Sequence, residues 1–183
     1  MITINGQKMG KSLGNFITLE EFFTGSHPSL EKAYSPMCIR FFILQAHYRS
    51  TIDFSNEALQ AAEKGFEKLM DSYDRLLRLT PSTESSIPAE TFTKRCYEAM
   101  NDDLNTPVVI STLFDAAHLI NQVYDGKASV NSRDLAELKQ LFRIFLEEIL
   151  GLDAGKTSDD RQLSAYRGAI DLLLNLRLEA KLQ

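Results

Sequence analysis

Tryptophan is absent from this 183-residue chain, and cysteine, proline and glycine number only 2, 5 and 9. Each shortage excludes something. Two distant cysteines cannot frame a disulfide-stapled fold, and their scarcity points to a reducing compartment, with the cytoplasm as the expected location. Little proline and glycine rules out collagenous and low-complexity chains. No apolar run approaches the ~20 residues that a membrane span requires. The stretch Met1–Gly10 also lacks the basic flank and apolar core of a signal peptide, so no membrane association is expected. Basic residues are in deficit as well: 20 Lys and Arg stand against 25 Asp and Glu, a net charge of -5. A generic nucleic-acid binder would carry the opposite sign.

What the chain does contain is ordinary for a globular protein, with 44% apolar and 25% charged residues. Its length fits one domain with a substantial core, or a domain with a small appendage. The charge is unevenly spread. Residues 1–80 hold 9 basic and 9 acidic side chains, residues 81–155 hold 6 and 12, and residues 156–183 hold 5 and 4. The acidic excess therefore sits in the middle of the chain, and the first eighty residues are neutral.

The pattern predicts a mostly α protein. Met1-Ile2-Thr3-Ile4 reads as a short strand, the one strand expected, and Asn5-Gly6 is a strong turn signal. Thr18 with Glu21 forms a capping-box pattern that opens a short helix, which Gly25 closes. Ser35-Pro36 starts a second helix, and Met37–Ala46 is apolar enough to be buried nearly all round. His47–Phe54 reads as irregular. Ser55 then caps a long helix with apolar residues at Leu59, Ala62, Phe66, Leu69, Tyr73 and Leu76, spaced 3 and 4 apart. A Ser/Thr/Pro-rich loop over 80–89 precedes a helix over about 90–100. Thr106-Pro107 starts the next, capped at Thr106, with a stripe at Val109, Leu113, Ala116, Ile120 and Val123. The stripe Leu135, Leu138, Phe142, Phe145 and Ile149 follows at the same period. Gly151 and Gly155 interrupt the chain, and Asp159 or Asp160 caps a final helix. Three such seams joined by short loops make an antiparallel helical bundle.

One loop carries candidate chemistry. Lys8-Met9-Gly10-Lys11-Ser12 places two ammonium groups three residues apart, with Gly6, Gly10 and Gly14 around them. Glycine lets backbone N–H groups approach an anion, and lysine is a mobile point charge suited to phosphate. A merely solvated basic loop is the alternative. A P-loop is rejected, because Gly6 and Gly10-Lys11-Ser12 enclose three residues instead of four and Leu13–Phe16 delays the next helix.

Lys8-Met9-Gly10-Lys11-Ser12-Leu13-Gly14-Asn15 resembles the KMSKS signature of class I aminoacyl-tRNA synthetases, and most closely that of the bacterial cysteinyl enzymes. His47-Tyr48-Arg49-Ser50, after a helix containing Arg40-Phe41-Phe42, resembles that family's stem-contact region. Met100-Asn101-Asp102-Asp103-Leu104-Asn105-Thr106-Pro107 resembles its acidic hinge, and Leu113-Phe114-Asp115 continues the likeness. The similarity spans about the whole chain. Gly10 departs from the signature, where the family has Ser, and removes one hydroxyl donor.

The resemblance implies a division into residues 1–55, the signature loop and stem-contact region, and residues 56–183, a tRNA-binding bundle of the DALR type that stops before an anticodon-reading part. It implies ATP with Mg, cysteine and tRNA(Cys) as ligands of a complete, monomeric ligase. Lys11 would stabilise the leaving pyrophosphate with Lys8 assisting, and Lys8, Met9, Gly10, Lys11 and Ser12 would meet the ATP phosphates. The expected chain is a partial one, inactive alone, since the nucleotide-binding sheet and the zinc site of that family are not matched here. Cys38, Cys96, His27, His47 and His118 show no paired ligand spacing, so no metal is expected in this chain, and both cysteines read as small buried apolar residues.

Other residues keep two readings. His47, Tyr48 and Arg49 either support the loop and tRNA or form a polar helix end, with Arg49 paired to an acid such as Asp53. Asp102 and Asp103 either hold a cation or are helix-end carboxylates. Lys64, Lys68, Arg75 and Arg78 either meet tRNA or pair with Glu63, Glu67, Asp71 and Asp74 along their helix. Two rival functions stand beside the tRNA ligase: part of a cysteine:amino-sugar ligase, and a non-catalytic helical interaction module.

Overall fold

A computed structural model of the chain describes residues 1–153. The final helix expected from Asp159 or Asp160 lies outside the described residues. The chain opens with strand β1 (Ile2–Ile4), which turns back into β2 (Gln7–Lys8). Thr3 faces Lys8 and Ile4 faces Gln7 in an antiparallel hairpin. Asn5 and Gly6 both take positive φ, 50° and 77°. This two-residue turn has the twist that matches the strands, and asparagine and glycine tolerate it at least cost.

The expectation of a single strand is corrected by this hairpin and by a further strand. Residues 47–54, read as irregular, contain β3 (Ile52–Phe54), which pairs parallel to β1 in the register Ile2↔Ile52, Thr3↔Asp53 and Ile4↔Phe54. The sheet order is β2-β1-β3. A three-residue strand is too short to show alternation, and its partner lies fifty residues away. Asp53 ties the pairing to the turn. Its Oδ1 accepts hydrogen bonds from the Thr3 hydroxyl at 2.6 Å and from the Gly6 N–H at 2.8 Å.

Two helices lie between these strands. In α1 (Leu19–Thr24) the capping box forms as expected: Glu21 N–H donates to the Thr18 hydroxyl, and Thr18 N–H donates to the Glu21 carboxylate. Helix α2 (Pro36–Leu44) starts with Ser35 accepting from Cys38 N–H at 3.1 Å. It is not buried all round. Cys38, Ile39 and Phe41 face inward, but Ile43 is 39% exposed and Arg40 is exposed. Ile43 borders an open apolar groove of about 260 Å³, shared with Leu19 and Phe23 of α1. The short helix has too few neighbours to cover its second face.

The remaining described residues form a bundle of α3 (Asn56–Arg78), α4 (Ala89–Asn101), α5 (Thr106–Tyr124) and α6 (Ser132–Leu141). The contacts fix its direction. Ser72 and Arg75 of α3 meet Asn121 of α5, while Phe41 of α2 packs against Phe66 of α3 and Phe114 of α5, so α3 and α5 run the same way. Thr93 of α4 bonds to Glu137 of α6, and Tyr97 of α4 meets Phe145 beyond it edge to face, so these two also run together. Tyr73 of α3 stacks on Phe142, whereas Leu77 O accepts from Lys139, so α3 opposes α6. This is the up-down-up-down arrangement that short connections favour.

The predicted seams are buried: Leu59, Ala62, Phe66, Leu69, Tyr73 and Leu76, with Val109, Leu113, Ala116 and Ile120, and all of these but Leu59 belong to the bundle core. Val123 is half-buried. The third seam fails at its end. Leu135, Leu138, Phe142 and Phe145 are buried, but Ile149 is 40% exposed. From Phe142 to Ile149 the chain is a π-helix, with more residues per turn than an α-helix. The wider turn carries Ile149 outward and brings in Leu146 and Leu150, each at most 2% exposed.

A second, smaller core holds the front of the molecule. It joins Ile4, Ile17, Phe22, Tyr34, Cys38, Ile39 and Phe54 to Leu59 in the first turn of α3. The Phe54 ring lies 4.9 Å from Phe22 and 5.0 Å from Phe42. Because Leu59 belongs to this core and Ala62 to the bundle core, α3 connects both.

Two outcomes test this reading. Leu113→Ala removes a fully buried side chain from the bundle centre and should lower unfolding free energy by about 2–5 kcal/mol in denaturant titration. At Asp53 the Thr3 hydroxyl and then the Gly6 N–H hold the carboxyl below its ordinary value. The lowered folded pKa makes this stabilisation fully present above the unfolded value of about 3.9, and acid removes it as pH falls through the folded value. The thermal midpoint advantage over Asp53→Asn should therefore hold at neutral pH and shrink progressively as pH falls below about 4.

Candidate functional site

The loop that follows β2 is built from both ends. Met9 N–H donates to Ile2 O at 3.1 Å, and the Met9 side chain packs against the smaller core. Gly10 is extended, and Lys11–Leu13 forms one 3₁₀ turn, closed by Leu13 N–H to Gly10 O at 3.0 Å. Gly14 ends the turn at φ 69°, a left-handed position that suits glycine. Asn15 then reaches back. Its Oδ1 accepts from Gly10 N–H at 2.9 Å, and its Nδ2 donates to Lys8 O at 3.0 Å.

This scaffold sorts the five candidate residues. Lys8, Lys11 and Ser12 are exposed. The backbone amides of Met9 and Gly10 are committed to Ile2 O and Asn15, so their part is architectural in this state. Neither lysine forms an ion pair with any described residue. The Lys11 ammonium instead rests over Phe16, 5.3 Å from the ring centroid. A cation–π contact at an exposed site contributes only about 0.5–1 kcal/mol, so a polyanion can draw the ammonium away. Two mobile cations beside a hydroxyl, on a backbone whose bends are fixed, can neutralise clustered phosphoryl oxygens.

His47, Tyr48 and Arg49 form a second cluster, with a partner other than the one expected. Arg49 does not pair with Asp53, which serves the sheet. It pairs with Asp103 at 3.1 Å, and the Tyr48 hydroxyl donates to the same carboxylate at 2.7 Å. The proximity of Asp103 raises the Tyr48 phenol above its usual range. His47 stacks on Tyr48 at 4.8 Å, and its Nε2 lies 3.8 Å from Asp103. Asp103 and Leu104 take positive φ, 57° and 54°, at the sharp joint between α4 and α5. Asp103 is thus a bridge between chain segments. Asp102 is the residue after the last turn of α4, where the helix dipole does not favour a carboxylate. The cap of α5 is Asn105; Thr106 is the first helical residue, and its hydroxyl donates to Leu44 O at 2.8 Å.

The cations of α3 depart from simple pairing along the helix. Arg75 donates to Asn121 at 3.0 Å and lies over Tyr124, while Glu63 pairs with Lys32. Lys64, Lys68, Arg75 and Arg78 form no ion pair with described residues. Burial pushes the thiols of Cys38 and Cys96 up to about 11 and about 12, in keeping with inert core residues. Among the described residues no three His, Cys, Asp or Glu side chains gather as metal ligands, and no helix is long and apolar enough to cross a membrane.

Sequence reasoning missed the roles of Asn15 and Asp103. Asn15, five residues beyond Gly10 and just after a glycine, carried a local signal for a turn-bracing side chain. Asp103, fifty-four residues from Arg49, carried none.

Comparison with known proteins falls on the same segments. Residues 1–64 match the family model described as the tRNA synthetases class I (C) catalytic domain, and residues 95–154 match the DALR domain. Proteins named cysteine–tRNA ligase are similar over 99% of the chain. Those of Parabacteroides distasonis and Porphyromonas gingivalis are 60% and 59% identical over 181 residues. That of Chlorobium luteolum is 37% identical over 186 residues. The chain spans 37% of the length of each of these relatives.

The Arg49–Asp103 contact is more than one-third exposed on both sides and should contribute little by itself. A double-mutant cycle with Arg49→Ala and Asp103→Asn should give a coupling of about 0.2–1 kcal/mol that declines with added salt.

Proposed function

We propose that this chain, which belongs to the cysteine–tRNA ligase family of class I synthetases, supplies such an enzyme with its pyrophosphate-facing loop and its tRNA-contacting helices. In the reaction a cysteine carboxylate oxygen attacks the α-phosphorus of ATP, the bond to the β-phosphate oxygen breaks, and pyrophosphate leaves. The cysteinyl group of the resulting adenylate then passes to the 3′ end of tRNA(Cys), releasing AMP. Lys11 is the residue that receives charge developing on the leaving group, with Lys8 beside it. The observation that carries this reading is the open pair of ammonium groups on a loop whose backbone is otherwise fixed. A cation held ready where phosphoryl oxygens gain charge lowers the barrier without reorganisation at the moment of reaction.

Magnesium accompanies ATP through its phosphates and needs no dedicated cage of protein ligands. The described residues do not fit a zinc site, so cysteine selection by zinc belongs to other parts of the ligase. The helices α3 to α6 and the 47–50 segment are the surfaces offered to tRNA. A cytoplasmic, monomeric ligase fits these parts. The DALR match over 95–154 favours the tRNA ligase over a cysteine:amino-sugar ligase.

In a full-length ligase carrying this sequence, Lys11→Ala should slow cysteine-dependent ATP–pyrophosphate exchange by about 10²–10³-fold, as loss of one charge-stabilising donor does elsewhere. The affinity for cysteine should stay within about twofold, a change worth only ~0.4 kcal/mol. Equal losses in exchange and in cysteine binding would overturn the assignment.

A further inference from the structure

We infer that Asn15 is the positioning residue of the signature loop: its carboxamide sets the backbone from which Lys8 and Lys11 reach phosphate. This inference rests on the proposed role of Lys11. Four facts carry it. The Asn15 side chain spans the loop, accepting from Gly10 N–H at 2.9 Å and donating to Lys8 O at 3.0 Å. Both of its polar atoms are thereby used on the two backbone groups that flank Met9. Met9 itself is anchored through its N–H on Ile2 and through its side chain on the smaller core. Gly10 is extended, at φ -166° and ψ 143°, and offers no side chain of its own to hold the bend.

The chemistry explains why a carboxamide is suited to the position. The loop needs an acceptor for Gly10 N–H and a donor for Lys8 C=O, and of the short side chains only asparagine supplies both from one planar group. Aspartate would keep the first bond and set its second oxygen against the Lys8 carbonyl. It would also place a negative charge next to the two lysines and to incoming phosphates. Alanine would lose both bonds and leave Gly10, with its wide φ range, free to wander. The Gly10 N–H that could have met phosphate is committed to Asn15 instead. Anion contact from this loop is thereby left to the residues beyond the brace, Lys11 and Ser12, and to the Lys8 side chain, and its precision depends on the brace.

Two measurements test the inference. In this chain the Gly10 amide should exchange slowly with solvent by NMR, and Asn15→Ala should speed that exchange at least about tenfold while the buried amides of α5 stay protected. In the full-length ligase, Asn15→Ala should lower the kcat of cysteine-dependent ATP–pyrophosphate exchange by about ten- to a hundredfold, the effect of a misplacement of roughly 1 Å. Its KM for cysteine and its thermal midpoint should be unchanged. Asn15→Asp should recover Gly10 protection without recovering exchange activity. Should Lys11→Ala leave pyrophosphate exchange intact, the role of the loop itself fails. Should Lys11→Ala abolish exchange while Asn15→Ala leaves it at the wild-type rate, or should the Gly10 amide exchange freely in the unaltered chain, the positioning role alone fails.

Discussion

The parallel pairing of β1 with β3, with Asp53 at its centre, is the constraint on which the front of the molecule depends. It joins residues fifty positions apart and leaves the signature loop at one end of the pairing and the bundle at the other. The same Asp53 oxygen that accepts from Thr3 also holds the Gly6 N–H in the hairpin turn. One carboxylate therefore ties the turn through which the chain enters β2 and Lys8 to the strand from which it enters α3 through Phe54 and Ser55. A loop proposed to present charge to phosphate gains from such fixed ends, because a cation that is free to wander contributes little to a single reacting geometry.

Helix α3 extends that order into the bundle. Its first turn gives Leu59 to the smaller core, and the following turns line the larger one. Cohesion here is apolar and needs no ion pairs. The described ion pairs each have at least one exposed partner, and such contacts are worth little individually. The polar contacts that matter most structurally join elements distant in sequence: Thr106 to Leu44, Arg40 to Leu150 and Arg75 to Asn121. The Arg40 contact lies beside a glycine that the left-handed backbone itself favours. Gly151 has φ 60°, and a Cβ there would lie 2.7 Å from the Arg40 guanidinium.

Much of the bundle was legible in the sequence because an amphipathic helix must repeat its apolar residues at the helical period, whatever it packs against. The caps at Thr18, Ser35 and Ser55 were legible for a similar reason, since a hydroxyl there answers an N–H only three residues away. The third seam shows where the rule stops. Its spacing predicts a continuous α-helix, but the π-turns from Phe142 onward rotate Ile149 to the surface and bring in Leu146 and Leu150. Period-based reading assumes a constant pitch, and the pitch changed. The lysines of the loop were legible as a pattern of charge and glycine. That Met9 serves the core, and that Gly10 gives its amide to Asn15, was not.

By itself the sequence determined the helical class, the apolar seams, the hairpin turn at Asn5-Gly6 and the two lysines as the charged feature of the front segment. These are properties of near neighbours along the chain, set by periods of two to four residues and by side chains that reach their own backbone. Only the tertiary structure decided that Ile52–Phe54 is a strand, that Arg49 meets Asp103 rather than Asp53, that one face of α2 stays open and that Asn105 rather than Thr106 caps α5. The first three depend on which distant segment arrives beside a given residue, and that is settled by the packing of the whole core. The cap depends on where the sharp joint at Asp103 and Leu104 lets the next helix begin.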